Sequence, residues 1–197
     1  MATLNPAKGR ELAALLAGLP LDVRTLDEFP GARLPEETGD SYAANALLKA
    51  RAAARYTGLL ALGDDSGLEV DALGGAPGLR SARFGGPGLD DAGRCERLLA
   101  ALSGVGEAGR RARFRCVIAL VDPDGDERLV EGAAEGVILT APRGRGGFGY
   151  DPLFYYPPLG RTFAELSDAE KAQVSHRGRA VESVRRLLRE CYTPPAG

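Results

Sequence analysis

Two adjacent carboxylates, Asp64 and Asp65, follow an apolar run at 59–62 and precede a serine and a glycine. Short apolar runs bounded by glycine are typical of buried strands. Acids at the carboxyl end of such a strand are expected where open α/β sheets bind their ligands. Neighbouring carboxylates repel each other, and Mg²⁺, which prefers oxygen ligands, would relieve that repulsion. The alternative is a solvated turn, because Asp, Ser and Gly are ordinary turn formers.

A second candidate site lies near the amino end of the chain, where a helix is predicted to begin at Pro6. Asn5 is a good N-cap, and the leucines of 12–19 repeat with the spacing of an amphipathic helix. Free N–H groups at a helix start bind anions, and Thr3 and Lys8 would add a hydroxyl and a positive charge. The alternative is a capped helix whose lysine is only solvated.

A third candidate is the glycine-rich stretch 144–149, which surrounds Phe148 and leads into Tyr150 and Asp151. Glycines let the backbone approach a planar ligand, and a phenyl ring can stack on a base. Asp151 could accept a hydrogen bond from a ring N–H. The alternative is a flexible loop that a phenylalanine anchors in the core.

The only histidine, His176, lies in a predicted turn over 175–178, beside Arg177 and shortly after Lys171. A metal role for His176 would need a second histidine or cysteine nearby in the sequence, and there is none. A lone histidine is more often structural than catalytic, but beside Arg177 and Lys171 we expect His176 to donate a hydrogen bond to a polar ligand.

Composition bounds the class of protein. A length of 197 residues, 44% of them hydrophobic and 26% charged, suits one domain or two closely packed lobes. The net charge of −2 gives no general attraction to nucleic acid or membranes. Three widely separated cysteines favour a reducing compartment, and without a signal-like segment or a long apolar run we expect a cytoplasmic protein. The usual glycine patterns of phosphate-loop ATPases and dinucleotide enzymes are not found.

Hydrophobic periodicity predicts the elements that must position these side chains. Further helices are predicted over about 41–56, from Asp90 or Asp91 to about Leu102, from Ser167, and after 178. A half-buried strand is predicted over 112–122, returning strands over 129–139, and a short strand at 154–156. The tail, 193–197, is expected to be disordered.

Several segments, taken together and in this order, resemble one family, that of the inosine/xanthosine triphosphate pyrophosphatases. They are Ala2-Thr3, Asn5, Lys8 and Glu11-Leu12, then 64–68, 73–78, 81–83, 147–152 and 175–177. The resemblance covers nearly the whole chain. It implies an α/β fold with an elongated mixed central sheet flanked by helices, two lobes with a substrate cleft between them, and a single domain over 1–197.

The family resemblance also implies an activity, partners and residue roles. The activity is Mg²⁺-dependent hydrolysis of ITP, dITP, XTP and dXTP to the monophosphate and pyrophosphate, by a homodimer that binds neither nucleic acid nor membrane. Asp65 would be the general base and a metal ligand, with Glu36 as the second metal ligand. The substrate contacts would be Thr3, Leu4, Asn5, Pro6, Ala7, Lys8, Ser66, Phe148, Gly149, Tyr150, Asp151, Lys171, His176 and Arg177.

The chain departs from the family pattern in places. The strand that normally precedes Ala2 is missing, and Leu4 stands where a glycine or serine is usual. Ala44 replaces a glutamate, so altered metal affinity is expected. Two alternatives stay open: a related enzyme acting on modified pyrimidine nucleotides, and a nucleotide-sensing or RNA-binding module of the same fold.

Overall fold

The structure is a computed structural model that describes residues 1–3 and 5–191, without the side chain of Cys191. Leu4 and the predicted tail at 193–197 therefore lie outside the described residues. The chain combines five helices with one five-stranded sheet among the described residues, which confirms the α/β prediction. The helices are α1 (Pro6–Leu16), α2 (Tyr42–Thr57), α3 (Asp91–Ala101), α4 (Asp168–Val174) and α5 (His176–Cys191). The strands are β1 (Ala61–Val70), β2 (Arg111–Val121), β3 (Glu127–Ile138), β4 (Phe154–Tyr156) and β5 (Arg161–Thr162).

The strands form one sheet in the order β1-β2-β3-β4-β5. The pairs β3–β4 and β4–β5 are antiparallel, with Val137 opposite Tyr155 and Tyr155 opposite Thr162. No described helix is long and apolar enough to span a lipid bilayer.

The chain divides into two compact units. The first comprises residues 1–65, 116–132 and the chain from Arg177 onward, and the second comprises 66–115 and 133–176. The core of the first unit is aliphatic, with residues of α1, β2 and α5 such as Leu12, Ile118 and Val184 fully buried. The predicted single domain over 1–197 and the substrate cleft stay predictions.

The second unit has an aromatic core. Phe154 and Phe163 are fully buried, and the ring centroids of Phe114 and Phe154 lie 4.7 Å apart. Leu68 and Leu98 pack into the same cluster. Aromatic side chains bury about 150–250 Å² each and so dominate the energetics of such a core.

β1 differs from its prediction. It begins at Ala61 and continues to Val70, so Asp64 and Asp65 lie inside the strand rather than beyond its carboxyl end. The prediction placed the strand at the apolar run 59–62, but Leu59 is 48% exposed and lies before β1. The acids can lie inside the strand because cations and amides contact them.

Gly63 determines how closely α2 packs on β1. A Cβ at Gly63 would lie 2.4 Å from the backbone oxygen of Ala46 and 3.1 Å from Cβ of Ala50. Any side chain there would push the helix away from the strand. The glycine therefore sets the distance between α2 and the acidic pair.

The start of α5 also differs from its prediction, since His176 is its first residue and the turn predicted over 175–178 is absent. Gly178 was the turn signal, but a glycine costs a helix only about 1 kcal/mol relative to alanine. The buried side chains of Ala180, Val181 and Val184 anchor α5 and outweigh that cost.

Candidate functional site

The start of α1 is capped as predicted. Oδ1 of Asn5 accepts hydrogen bonds from the N–H groups of Ala7 at 3.0 Å and Lys8 at 3.2 Å. The N–H of Ala2 donates to the carbonyl of Leu62 at 2.7 Å, which fixes this helix start beside β1. A cavity of about 260 Å³ lies against it, lined by Thr3, Asn5, Pro6, Gly9, Arg10, Thr25 and Asp27. Because Pro6 has no N–H and the cap takes up those of Ala7 and Lys8, the polar groups beside this cavity are side chains, those of Thr3, Arg10 and Thr25 among them.

Asp64 is buried among cations. Its Oδ2 lies 3.2 Å from Nζ of Lys8 and 3.6 Å from Nη2 of Arg177. Burial alone would raise the pKa of Asp64, but Lys8, Arg177 and Lys49 outweigh it and hold that pKa well below the usual range. Asp64 is therefore a permanent negative charge.

Asp65, one residue further on, has the opposite shift. Its Oδ2 accepts from Nδ2 of Asn45 at 3.0 Å, and its Oδ1 lies 3.5 Å from Nζ of Lys49. Burial raises the pKa of Asp65, and Lys49 and Asn45 counteract this only in part. A carboxylate whose pKa is raised in this way is suited to accept a proton.

α2 presents Asn45 and Lys49 to Asp65 from one face, because these residues are four positions apart. The N–H of Gly39 donates to Oδ1 of Asn45 at 2.8 Å. That bond turns the amide so that its N–H₂ group faces Asp65. A Cβ on Gly39 would lie 2.6 Å from the same Oδ1, so this turn needs a glycine.

A third carboxylate reaches this group, and it belongs to Glu37 rather than Glu36. Oε1 of Glu37 accepts from Nζ of Lys49 at 2.9 Å, and its charge contributes to the raised pKa of Asp65. The Glu36 side chain is exposed. Among the described residues no three acids, histidines or cysteines converge as a ready metal centre. Carboxylate oxygens are nevertheless the donors that Mg²⁺ takes, and Asp65 and Glu37 both approach Lys49.

Arg177 belongs to this group as well. Its guanidinium is buried, and Nη1 donates to Oε2 of Glu11 at 2.7 Å while Nη2 faces Asp64. Its pKa is raised because Asp64 and Glu11 outweigh the cost of burial. We call the following set the charged site: Lys8, Glu37, Asn45, Lys49, Asp64, Asp65 and Arg177.

The predicted aromatic loop lies in the second unit and is organised by Asp151. Oδ2 of Asp151 accepts from the N–H of Phe148 at 2.9 Å and from Nζ of Lys171 at 2.6 Å. A Cβ on Gly147 would lie 2.0 Å from the same oxygen, and Gly147 has a φ of +69°. Only glycine fits there.

Lys171 also lies 4.8 Å from the centroid of the half-buried Phe148 ring. A cation over a ring face fixes the ring in orientation. We call Phe148, Gly149, Asp151 and Lys171 the loop site. It combines an aromatic face, a cation and backbone groups, which together can hold a planar polar ligand.

Tyr150 and His176 serve the core of the second unit. The hydroxyl of Tyr150 donates to the carbonyl of Ser81 at 2.9 Å, and burial raises the pKa of this phenol. His176 is buried and stacks on Phe114 with centroids 4.6 Å apart. Ser66, directly after the acidic pair, is half-buried. Their predicted contacts with substrate stay predictions.

Sequence reasoning missed Glu11, Glu37, Asn45 and Lys49. The available signal was on α2, where Asn45 and Lys49 have the same spacing as Ala46 and Ala50 and so share the buried side of the helix. A lysine and an asparagine on such a face indicate a buried acidic partner.

Comparison with known proteins supports the resemblance seen in the sequence. Residues 1–187 match the model of the Ham1 family. A dITP/XTP pyrophosphatase of Desulforamulus reducens is 52% identical over 192 residues, covering 98% of this chain and 96% of that protein. One from Syntrophobacter fumaroxidans is 54% identical over 188 residues, covering 94% and 79%.

Solved structures agree with these matches. A HAM1 protein from Coxiella burnetii superposes with a TM-score of 0.87 at 43% identity, covering 96% of both chains. A Staphylococcus aureus Ham1 protein gives a TM-score of 0.86 at 38% identity, again covering 96% of both. By sequence and by fold, the chain belongs to the Ham1 family.

Proposed function

We propose that this protein is a Mg²⁺-dependent pyrophosphatase that hydrolyses ITP, dITP, XTP and dXTP to the monophosphate and pyrophosphate. The relatives named above as dITP/XTP pyrophosphatases support this activity. The observation that carries the proposal is the contrast between two adjacent buried acids. Asp64 is paired with Lys8 and Arg177, which lower its pKa. Asp65, by contrast, contacts Asn45 and Lys49 and has a raised pKa. Sites of acid–base catalysis typically contain two neighbouring carboxylates whose surroundings raise the pKa of one and lower the pKa of the other.

The charged site is proposed to bind the triphosphate and carry out the hydrolysis. Asp65 accepts the proton of the attacking water, and its raised pKa suits that task. Asp64 stays ionised and holds Lys8 and Arg177 in place. The ammonium of Lys8, with the predicted contacts at 3–8, then meets the phosphates.

Mg²⁺ is the proposed cofactor because the donors are all oxygen atoms. We assign its protein ligands to Asp65 and Glu37, which both approach Lys49, in place of the exposed Glu36. When bound, the ion would neutralise phosphate charge and lower the pKa of a bound water. Ala44, at the position where the family usually has a glutamate, lies in the first turn of α2 near Asn45.

The loop site is proposed to bind the base. Phe148 stacks on the purine, and Lys171 supplies a donor that suits a carbonyl acceptor. An amino group in place of that carbonyl would set donor against donor, which costs about 1–3 kcal/mol for each buried group left unpaired. Adenine nucleotides are therefore rejected. Arg177, whose guanidinium contacts Glu11 and Asp64, contributes to phosphate binding instead.

The test is a set of initial rates with ITP, XTP, GTP, ATP, dUTP and 5-methyl-UTP, each with and without Mg²⁺. ITP and XTP should turn over fastest, only with the metal, and the products should be monophosphate and pyrophosphate. Faster turnover of the pyrimidine nucleotides would indicate the related pyrimidine enzymes instead. Nucleotide binding without pyrophosphate release would indicate a sensing module.

The assembly and the compartment are part of the same proposal. We propose a homodimer in the cytoplasm, as the family resemblance implies. Light scattering at assay concentration should give twice the chain mass of 20.6 kDa. A monomer with full activity would contradict the dimer.

A further inference from the structure

The peptide group of Gly149 is held on both sides by α3, within the second unit. Its N–H donates to Oδ2 of Asp91 at 2.7 Å, and its carbonyl accepts from the thiol of Cys95 at 3.4 Å. Asp91 and Cys95 are four residues apart, so one face of α3 presents both groups. No role described so far uses either side chain.

The Cys95 thiol and the Asp91 carboxylate are each suited to these hydrogen bonds with Gly149. Burial above all, and then the charges of Asp91 and Asp151, raise the pKa of the Cys95 thiol to about 11, so the thiol keeps the proton that it donates. The second oxygen of Asp91, Oδ1, faces Arg94 at 3.7 Å, which leaves Oδ2 directed at Gly149. A charged acceptor makes a stronger hydrogen bond than a neutral one.

Gly149 is the position in the loop that most needs such a tether. It has a φ of +62°, and a Cβ there would have no neighbour within 4 Å, so packing does not fix it. Glycine also loses more conformational freedom on ordering than any other residue. It follows Phe148 directly, and the N–H of Phe148 donates a hydrogen bond to Asp151.

We propose that Asp91 and Cys95 are positioning residues that order the loop site from α3 and thereby set its affinity for the base. They act through Gly149 and touch neither base nor phosphates. The inference rests on the proposed function, because only that function makes the loop site a base-binding site. Ordering the loop before binding removes an entropic cost from association, so KM rather than kcat depends on it.

The experiment measures two quantities in Asp91→Ala and Cys95→Ala: amide exchange at Gly149 without nucleotide, and KM and kcat with ITP. Both variants should speed exchange and raise KM about three- to ten-fold, with kcat within about two-fold of wild type, as expected for one hydrogen bond at a partly exposed site. Asp91→Asn and Cys95→Ser keep an acceptor and a donor and should return both readouts toward wild type. Glu96→Gln is the matched control, since it removes one exposed acid from the same helix.

Unchanged exchange in both alanine variants overturns the inference. A raised KM with unchanged exchange overturns it too, because the effect would then not act through loop order. An equal effect of Glu96→Gln would assign the change to the helix charge and have the same consequence. If wild-type protein turned over none of the nucleotides, the proposed function would be contradicted. Amide exchange measured without nucleotide would still decide whether the hydrogen bonds of Asp91 and Cys95 order the loop.

Discussion

The charged site and the loop site solve opposite physical problems. The charged site keeps Asp64, Asp65, Lys49 and Arg177 buried together, and its residues mainly adjust one another's charge. The loop site contains the buried ion pair Asp151–Lys171, whose carboxylate also fixes the backbone N–H of Phe148. Chemistry should therefore depend on charge in the first unit, and selectivity on shape in the second.

The largest expected effect is that of Asp65→Asn on turnover. Loss of the proposed base should lower kcat by about 10²–10⁴-fold. Because burial raises the pKa of Asp65, its ionised form is unfavourable in the folded protein, and the neutral asparagine should leave the melting temperature unchanged or higher. Steady-state kinetics measures kcat, and scanning calorimetry measures the melting temperature. A variant that keeps most of its activity would remove Asp65 from the mechanism.

Asp64→Asn should show the opposite balance. The pKa of Asp64 is lowered in the folded state, so its charge stabilises the fold above the unfolded pKa, and that stability is lost as pH falls through the folded pKa. Removing the charge leaves Lys8 and Arg177 without their shared partner and should cost about 3–5 kcal/mol of unfolding free energy at neutral pH. Chemical denaturation measures it. Equal stability of Asp64→Asn and Asp65→Asn would break the contrast between the two acids.

Phe148→Leu tests the loop site alone. Loss of a stacking face should raise KM for ITP by about ten-fold with kcat unchanged, since base stacking on an aromatic ring is worth about 1–3 kcal/mol. Phe29→Leu is the control, because Phe29 is also a half-buried phenylalanine but lies in the first unit. A fall in kcat without a change in KM would contradict the separation of binding from chemistry.

Glu37→Gln and Glu36→Gln form a matched pair that sharpens the metal assignment. Glu37 contacts Lys49 beside Asp65, whereas the Glu36 side chain is exposed. The Glu37 variant should raise the half-saturating Mg²⁺ concentration about ten-fold, and the Glu36 variant should leave it unchanged. The reverse result would restore the ligand expected from the family resemblance.

The smallest expected effect is a shift in pH profile. The hydrogen bond from Asn45 lowers the pKa of Asp65, so Asn45→Ala should move the acidic limb of kcat/KM to higher pH. Activity is lost as pH falls through this pKa, because the base becomes protonated. A limb that does not move would mean that another group titrates there.

Local patterns in the sequence predicted the elements well. The Asn5 cap, the alternation in β2 and the short strand β4 are all encoded by nearby residues. Long-range contacts were the part that could not be predicted. The partners of Asp64 and Asp65 come from α1, α2 and α5, and nothing in the strand itself specifies which helix face will approach. From the sequence alone, two adjacent acids are as consistent with a solvated turn as with a site, because their contacts with Lys8 and Lys49 are long-range.

Gly63 has a consequence for how this enzyme can change. Because a glycine acts as a fixed spacer between β1 and α2, the gap around Asp65 is set by backbone atoms and not by adjustable side chains. Changes in the reactivity of Asp65 must then come from the side chains around it, such as Asn45 and Lys49, which contact it, and Glu37, whose charge raises its pKa. Variants with faster or slower turnover should be sought first at these three positions.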